Sequence, residues 1–382
     1  MKILQIIPFF TPSRGGSVIV QYYISKELCK RGHEVTIITT DFEFDKEYAK
    51  TLEKIGVKVI PFHCIVNIKL FLISLGMGKW LKKEIRNFDV IHMHDFRSYQ
   101  NVIVHHYAKK YNISYILQPH GSTPRVIEKK RLKWLFDVFF GYKILKDASK
   151  VIAVSKEEAE YDRQMGANNK KISVIYNGMD IEYFKNLPEY GAFKKKYGIN
   201  KKIILYLGRI HKSKGIDFVI KSFSKLVEEA NDVILVIAGS DDGYKAELEK
   251  LIEKLNLIGK VKFTGFLDEE DKISAYTDAD LFVHTVQYMG GVGLTPLESI
   301  LCDTPVIVTE ECGEVIKEAN AGYWVKYGDV NDLREKMKSI LENPEEGEKM
   351  VKRGKKYITE NLTWSKNTEK ILKNYLEVSG GT

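Results

Sequence analysis

Residues 290–298 read Gly290-Gly291-Val292-Gly293-Leu294-Thr295-Pro296-Leu297-Glu298, and the chain continues Ser299-Ile300-Leu301-Cys302-Asp303-Thr304-Pro305-Val306-Ile307. A glycine-rich loop here runs into a helix start, and the helix gives way to an apolar strand that begins at proline. Glycine lets a ligand approach the backbone, and the first amides of a helix face outward at the positive end of its dipole. Such a loop suits an anion, a phosphate above all. Thr295 is placed to cap the helix, Pro296 fits its first position, and Glu298 stands three residues past the cap. Two jobs are then open to Glu298. It closes a Thr-x-x-Glu capping box, or it projects toward the ligand and accepts hydrogen bonds from sugar hydroxyls.

Working outward, apolar strand-like runs alternate with helix-like segments along most of the chain, the pattern of a parallel sheet covered by helices. In the first half the strands read as 3–7, 35–39, 57–61, 90–94, 115–118 and 151–154. In the second half they read as 203–207, 234–238, 261–264, 281–283 and 306–308. Each half therefore resembles a doubly wound nucleotide-binding domain of α/β class. The expected division is a first domain over 1–180, a linker over 181–200 and a second domain over 201–363. An amphipathic C-terminal helix within 364–382 is expected to pack back on the first domain. In open sheets of this kind ligands bind at the carboxyl ends of the strands, and two such domains would surround one cleft.

The unusual residues fall at those strand ends. Gly15-Gly16-Ser17 follows the first strand, with Ser17 placed to cap the next helix; a plain tight turn is the simpler reading of the same residues. Gly208-Arg209-Ile210-His211-Lys212-Ser213-Lys214-Gly215 follows 203–207. Arg209 and Lys214 could clamp a diphosphate, arginine through its fork and lysine as a compact charge, and so stabilise the negative charge that develops on a leaving diphosphate. A solvated basic turn is the plainer alternative. Gln118-Pro119-His120-Gly121-Ser122 follows another strand. His120 could donate a hydrogen bond or a proton, since the ordinary histidine pKa permits either role near neutrality. His92 and His94 alternate on one strand face without an evident third metal ligand, so a structural or cleft-lining role is expected for them.

In combination these segments resemble the retaining glycosyltransferases of GT-B fold, glycosyltransferase family 4. The resemblance covers nearly the whole chain in order. It includes the first glycine loop, Phe88-Asp89-Val90-Ile91-His92-Met93-His94, His120-Gly121, Val151-Ile152-Ala153-Val154-Ser155 and Val174-Ile175-Tyr176-Asn177-Gly178-Met179-Asp180. It continues through Gly208-Arg209, Lys214-Gly215, Gly265-Phe266-Leu267 and the 291–307 stretch. The resemblance implies two Rossmann-like domains and transfer of a sugar from a nucleotide-diphosphate sugar to an acceptor hydroxyl on a glycan or lipid-linked glycan. By it, Arg209 and Lys214 bind the donor diphosphate, Glu298 holds the ribose hydroxyls, and the Gly293-Leu294-Thr295 amides meet phosphate. Phe266 and Leu267 lie near the base, His120 contacts the transferred sugar, and Gly15 and Gly16 let the first loop approach the sugar phosphate. One departure stands out. The family usually has a glutamate eight positions before the residue matching Glu298, and this chain has Gly290 there. A nucleotide-sugar 2-epimerase of similar fold and a non-catalytic nucleotide-sugar-binding protein are the alternatives to be separated by experiment.

The bulk composition sets the frame. The 382 residues suffice for two or three domains, and 44% hydrophobic with 29% charged residues describes an ordinary globular chain rather than a disordered one. Cys29, Cys64, Cys302 and Cys312 are far apart and form no C-x-x-C, which argues against a disulfide framework or zinc ribbon and fits a reducing cytoplasm. The N-terminal apolar run ends at Pro8 and reads as a buried strand rather than a signal peptide. No run approaches the roughly 20 apolar residues that span a bilayer. A net charge of +8 favours an anionic partner without saying which; the resemblance implies a nucleotide sugar, and no nucleic acid is expected. No cofactor beyond that co-substrate and no metal are expected. The segment 128–140, Glu128-Lys129-Lys130-Arg131-Leu132-Lys133-Trp134-Leu135-Phe136-Asp137-Val138-Phe139-Phe140, combines basic and aromatic residues. Its two readings are a peripheral contact with the inner face of a membrane and a buried core stripe of Leu132, Leu135, Phe136 and Phe139, and the helical spacing favours the stripe.

Overall fold

The computed structural model describes residues 1–68, 71–125, 130–287 and 293–380. The chain forms two compact units, one of Met1–Gly178 with the C-terminal segment from Trp364, the other of Met179–Thr363. Each unit is built on a parallel sheet. The first contains β1 (Lys2–Ile6), β2 (Glu34–Thr40) and β3 (Lys58–Phe62), then a separate antiparallel hairpin of β4 (Val66–Ile68) and β5 (Phe71–Ile73). Four more strands complete the sheet: β6 (Val90–His94), β7 (Tyr115–Gln118), β8 (Lys150–Ala153) and β9 (Ile172–Val174). Its order is β3-β2-β1-β6-β7-β8-β9. The second unit holds β10 (Lys202–Leu207), β11 (Val233–Ala238), β12 (Val261–Gly265), β13 (Leu281–His284), β14 (Val306–Thr309) and β15 (Gly322–Val325), in the order β12-β11-β10-β13-β14-β15.

Both orders run outward from the first strand of their unit, reverse, and run outward again, as in a doubly wound Rossmann sheet. The reversal leaves a crevice beside β1 and β6 in one unit and beside β10 and β13 in the other. The central strands are largely apolar because helices cover both faces, with buried Gln5, His92, His94 and Gln118 as polar exceptions. In the first unit Ile3, Ile37, Val90 and Ile116 pack on one face with Ile24 and Leu28 of the helix Gly16–Lys30 and with Ile371 and Tyr375 of the helix Trp364–Ser379. Leu4, Ile38, Ile91 and Leu117 pack on the other face with Met77, Val104 and Ile144. Each such burial contributes about 1.5–3 kcal/mol.

Three expectations need correction. The stretch 181–200 is not a free linker. Residues Ala192–Tyr197 form a helix that buries Phe193, and the Gly191 and Lys194 amides donate to the Asp278 carboxylate at 2.5 and 2.7 Å, so this stretch is folded onto the second unit. The second correction concerns strands. β4, β5, β9 and β15 were not expected: β4, β5 and β9 have only three residues each, too few to show a period, and β15 opens on Gly322, a residue depleted in strands.

The third concerns the segment 128–140, of which Glu128 and Lys129 lie outside the described residues. Leu132, Leu135 and Phe139 are 63%, 45% and 59% exposed, not a core stripe. The helix Lys130–Phe136 passes at Asp137–Gly141 into a π-wound turn. The inward seam is Asp137, Gly141, Ile144 and Leu145 instead, with Asp137 gripped by Arg97 and Arg125 at 2.7 Å each.

Candidate active site

In the first unit the carboxyl ends of β1, β6, β7 and β8 bring together a cluster of buried polar groups. Gly15, with φ +105, is the residue before the helix Gly16–Lys30, a left-handed conformation that only glycine adopts without strain. Ser17 lies inside the first helical turn and is not the cap. Its side chain approaches Asp95, the half-buried residue that follows β6, and favours the ionised form there. Burial prevails and raises the Asp95 pKa to about 6. His120, at the end of β7, also has positive φ (+54) and bonds His94 Nδ1 through its Nε2 at 2.9 Å. His92 Nδ1 in turn bonds the Tyr375 hydroxyl at 2.7 Å, tying the C-terminal helix to this cluster. Among the described residues no group of three or more His, Cys, Asp or Glu side chains could hold a metal ion.

Burial pushes the His120 pKa down to about 3, so His120 is neutral near pH 7. This narrows the two roles open from the sequence. A neutral imidazole donates or accepts a hydrogen bond, and burial favours that role over a cationic acid. His92 is likewise lowered to about 3, and His94 falls well below its ordinary value, both mainly by burial. Behind the loop sits Glu158, which sequence reasoning missed. Its carboxylate accepts the Gly121 amide and, at 2.6 Å, the Val154 amide, while Ser155 caps the same helix by accepting the Glu158 amide at 3.0 Å. Burial raises Glu158 to about 7, and Asp162 one turn on to about 8, through burial first and the nearby Glu158 second.

The second unit presents a different chemistry at the equivalent place. Gly208 closes β10, and a Cβ on Gly239 at the end of β11 would stand 1.9 Å from the Gly208 carbonyl oxygen, so those two turns touch only as glycines. Arg209 follows Gly208 and pairs with Asp242 at 2.7 Å on the surface. Lys214 ends the short 3-10 turn Lys212–Lys214 and is partly buried. Burial and the neighbouring Arg209 cation both lower its pKa, and no ion pair to Lys214 exists among the described residues. His284, at the end of β13, is held neutral by burial and by Lys214, with a pKa of about 3, and its Nδ1 bonds the Thr295 hydroxyl at 3.3 Å.

Gly290 to Val292 lie outside the described residues. The helix spans Leu294–Leu301 with Gly293 before it, so Thr295 and Pro296 are its second and third residues, not cap and first position. The amides of Leu294 and Thr295 therefore lie in the first turn, where no intrahelical acceptor reaches them. Glu298 does not close a capping box. It is 8% exposed and accepts from Lys272 at 3.2 Å and from the Tyr276 hydroxyl at 3.0 Å. Phe266 is 65% exposed just past β12, while Leu267 is buried. Lys272 also reaches Glu269, which accepts the Tyr183 hydroxyl at 3.0 Å. The structure thus groups Lys214, Gly293 and Thr295 around His284, and Glu298 with Lys272 and Tyr276. Arg209 is turned toward Asp242. His120, Gly15 and Gly16 belong to the other unit.

The family model described as glycosyl transferases group 1 matches residues 190–357, and that of Glycosyltransferase Family 4 matches residues 14–183. The two matches do not overlap and fall one on each half of the chain. This chain is a group 1 glycosyltransferase. Similar proteins include the glycosyltransferase MJ1607 of Methanocaldococcus jannaschii, 28% identical over 100% of both chains. Another is the N-acetyl-alpha-D-glucosaminyl L-malate synthase of Bacillus anthracis, 27% identical over 95% of this chain and 93% of that one. Among solved structures, HepE of Anabaena in complex with UDP and glucose superposes with a TM-score of 0.80 at 20% identity, covering 99% of this chain and 100% of that chain. That likeness places this glycosyltransferase in the GT-B fold.

Proposed function

We propose that the enzyme transfers a sugar from a nucleotide-diphosphate sugar to an acceptor hydroxyl on a glycan or lipid-linked glycan, with retention of anomeric configuration. The observation that carries the reading is Lys214, a partly buried cation beside a second cation, with no acid paired to it among the described residues. A buried charge is costly unless paired, so this arrangement favours a bound dianion over the empty state. The donor diphosphate is that anion. Arg209 exchanges the exposed Asp242 for phosphate oxygens, and the Leu294 and Thr295 amides add donors without charge. As the bond to the sugar breaks, negative charge grows on the diphosphate, and groups already in place stabilise it.

Glu298 accepts the ribose hydroxyls. Its two oxygens have lone pairs beyond those used by Lys272 and Tyr276, and those two contacts fix the carboxylate's position. Phe266 offers an exposed ring to the base. In the first unit, neutral His120 hydrogen-bonds the transferred sugar, with His94 holding its ring. The names of relatives support the donor class, since HepE was solved with UDP-glucose. The test is a panel of UDP-, GDP- and ADP-sugars with product analysis by NMR. Transfer with an unchanged anomeric configuration supports the proposal. Release of a free epimerised sugar nucleotide assigns an epimerase instead, and binding without turnover assigns a non-catalytic binder.

A further inference from the structure

The first unit carries an apolar surface that nothing in the transfer chemistry uses. Along Lys130–Gly141 only the narrow seam through Asp137 and Gly141 is buried, with Phe136 at its edge. Trp134, Phe139 and Phe140 are 51%, 59% and 42% exposed, along with Leu132 and Leu135. The hairpin of β4 and β5 extends the same surface. Val66 and Ile68 share one face of the hairpin and are 39% and 62% exposed, and Ile68 pairs with Phe71, whose ring lies 6.1 Å from that of Phe136. Contiguous exposed apolar area of this kind marks an interaction site.

The charge around it decides the partner. From Lys130 to Phe136 every charged side chain is basic: Lys130, Arg131 and Lys133. The acid that follows, Asp137, is buried and already gripped by two arginines. A second copy of the chain meeting this face about a two-fold axis would set basic residues against basic residues. An anionic bilayer surface instead takes aromatic and aliphatic side chains into its headgroup boundary while its phosphates meet the lysines and arginine. Among the described residues no helix is long and apolar enough to cross a membrane, so the contact is interfacial.

We propose that the helix from Lys130 to Gly141 and the β4–β5 hairpin together form a docking face for anionic lipid bilayers. This stands apart from the donor chemistry, and either can fail without the other. The experiment is vesicle co-sedimentation of the full chain with phosphatidylcholine alone and with phosphatidylglycerol added. Paired measurements use Trp134→Ser/Phe139→Ser, Val66→Ser/Ile68→Ser and Lys130→Glu/Arg131→Glu variants, whose exposed positions leave the fold intact as checked by melting. The expected result is binding that requires the anionic lipid, weakens with salt, and falls at least tenfold in each variant. Wild-type protein that stays in the supernatant with both vesicles overturns the proposal. So does binding that the hairpin and helix variants leave unchanged. A wild-type dimer by light scattering that ignores vesicles and dissociates in the same variants assigns the face to a second copy and also overturns it.

Discussion

The two units place their polar groups at the same point of the same strand order and charge them in opposite ways. At the carboxyl ends of β1, β6, β7 and β8, His92, His94 and His120 are held neutral, and Asp95, Glu158 and Asp162 are pushed toward their protonated forms. Beside β10 and β13, Arg209, Lys214 and Lys272 are cations and Glu298 answers one of them. Burial is common to both. The difference is that the second unit keeps cations at Lys214 and Lys272 in spite of partial burial, although its His284 is neutral like the histidines of the first. A fold fixes where a ligand goes, and the side chains fix what kind. On the proposed reading one crevice takes the donor diphosphate and the other uncharged hydroxyls.

The comparison breaks first at Lys214. Replacement by alanine is expected to lower kcat/KM by about 10²–10³, the range for one preorganised charge at a developing anion, while the melting temperature holds or rises. Arg209→Ala should follow in the same direction. Near-normal turnover in either variant, measured with the donor that supports activity, removes the diphosphate assignment. In the other unit His120→Ala should lower kcat by about 10–10², and His120→Asn, a neutral hydrogen-bonding side chain, should recover part of that loss. Because His120 is neutral throughout, the ratio of wild-type to His120→Asn kcat should stay constant between about pH 5.5 and about pH 8. A ratio that titrates near pH 6.5 would mean the imidazolium is used after all.

Glu298→Gln sharpens the contrast within the second unit. Donor Kd should rise about tenfold, since a charge-assisted bond to each hydroxyl is replaced by a weaker one. Stability should fall by about 1 kcal/mol, because Lys272 loses one of its two carboxylates while the Tyr276 hydroxyl keeps an acceptor. A variant that melts earlier yet binds donor normally makes Glu298 purely structural. The smallest effect is expected at Asp162. Its pKa is raised in the folded state, so its contribution to stability is present below the unfolded value near 4 and is lost as pH rises through about 8. Asp162→Asn, neutral at every pH, should therefore raise the melting temperature more at pH 8 than at pH 5. Equal shifts at both pH values contradict a proton held on Asp162.

The sheet class was legible because long apolar runs alternate with helical segments, a signal that survives wherever a strand has five or six residues. It failed for Ile172–Val174, where three residues cannot display a period, and for Gly322–Val325, which opens on a residue depleted in strands. Helical spacing at Leu132, Leu135 and Phe139 correctly reports an apolar face, but spacing cannot say whether anything covers it. The π-wound turn then rotates Asp137 and Gly141 inward in its place. The capping-box signature was read at Thr295 and Glu298, yet a close relative of that motif forms at Ser155 and Glu158. There the acid reaches one residue further back, to Val154, and across to Gly121. Nothing local distinguishes the two sites. The deciding facts are tertiary: Lys272 and Tyr276 draw Glu298 away, and the loop after β7 offers Glu158 an amide.

The central claim is that Lys214 awaits the donor diphosphate. Calorimetric titration of wild type and Lys214→Met with a nucleoside and with its diphosphate measures that claim directly. In wild type the diphosphate should bind far more tightly than the nucleoside, and Lys214→Met should reduce that advantage by about tenfold or more while leaving nucleoside affinity unchanged. An advantage of the same size in both proteins would contradict the account.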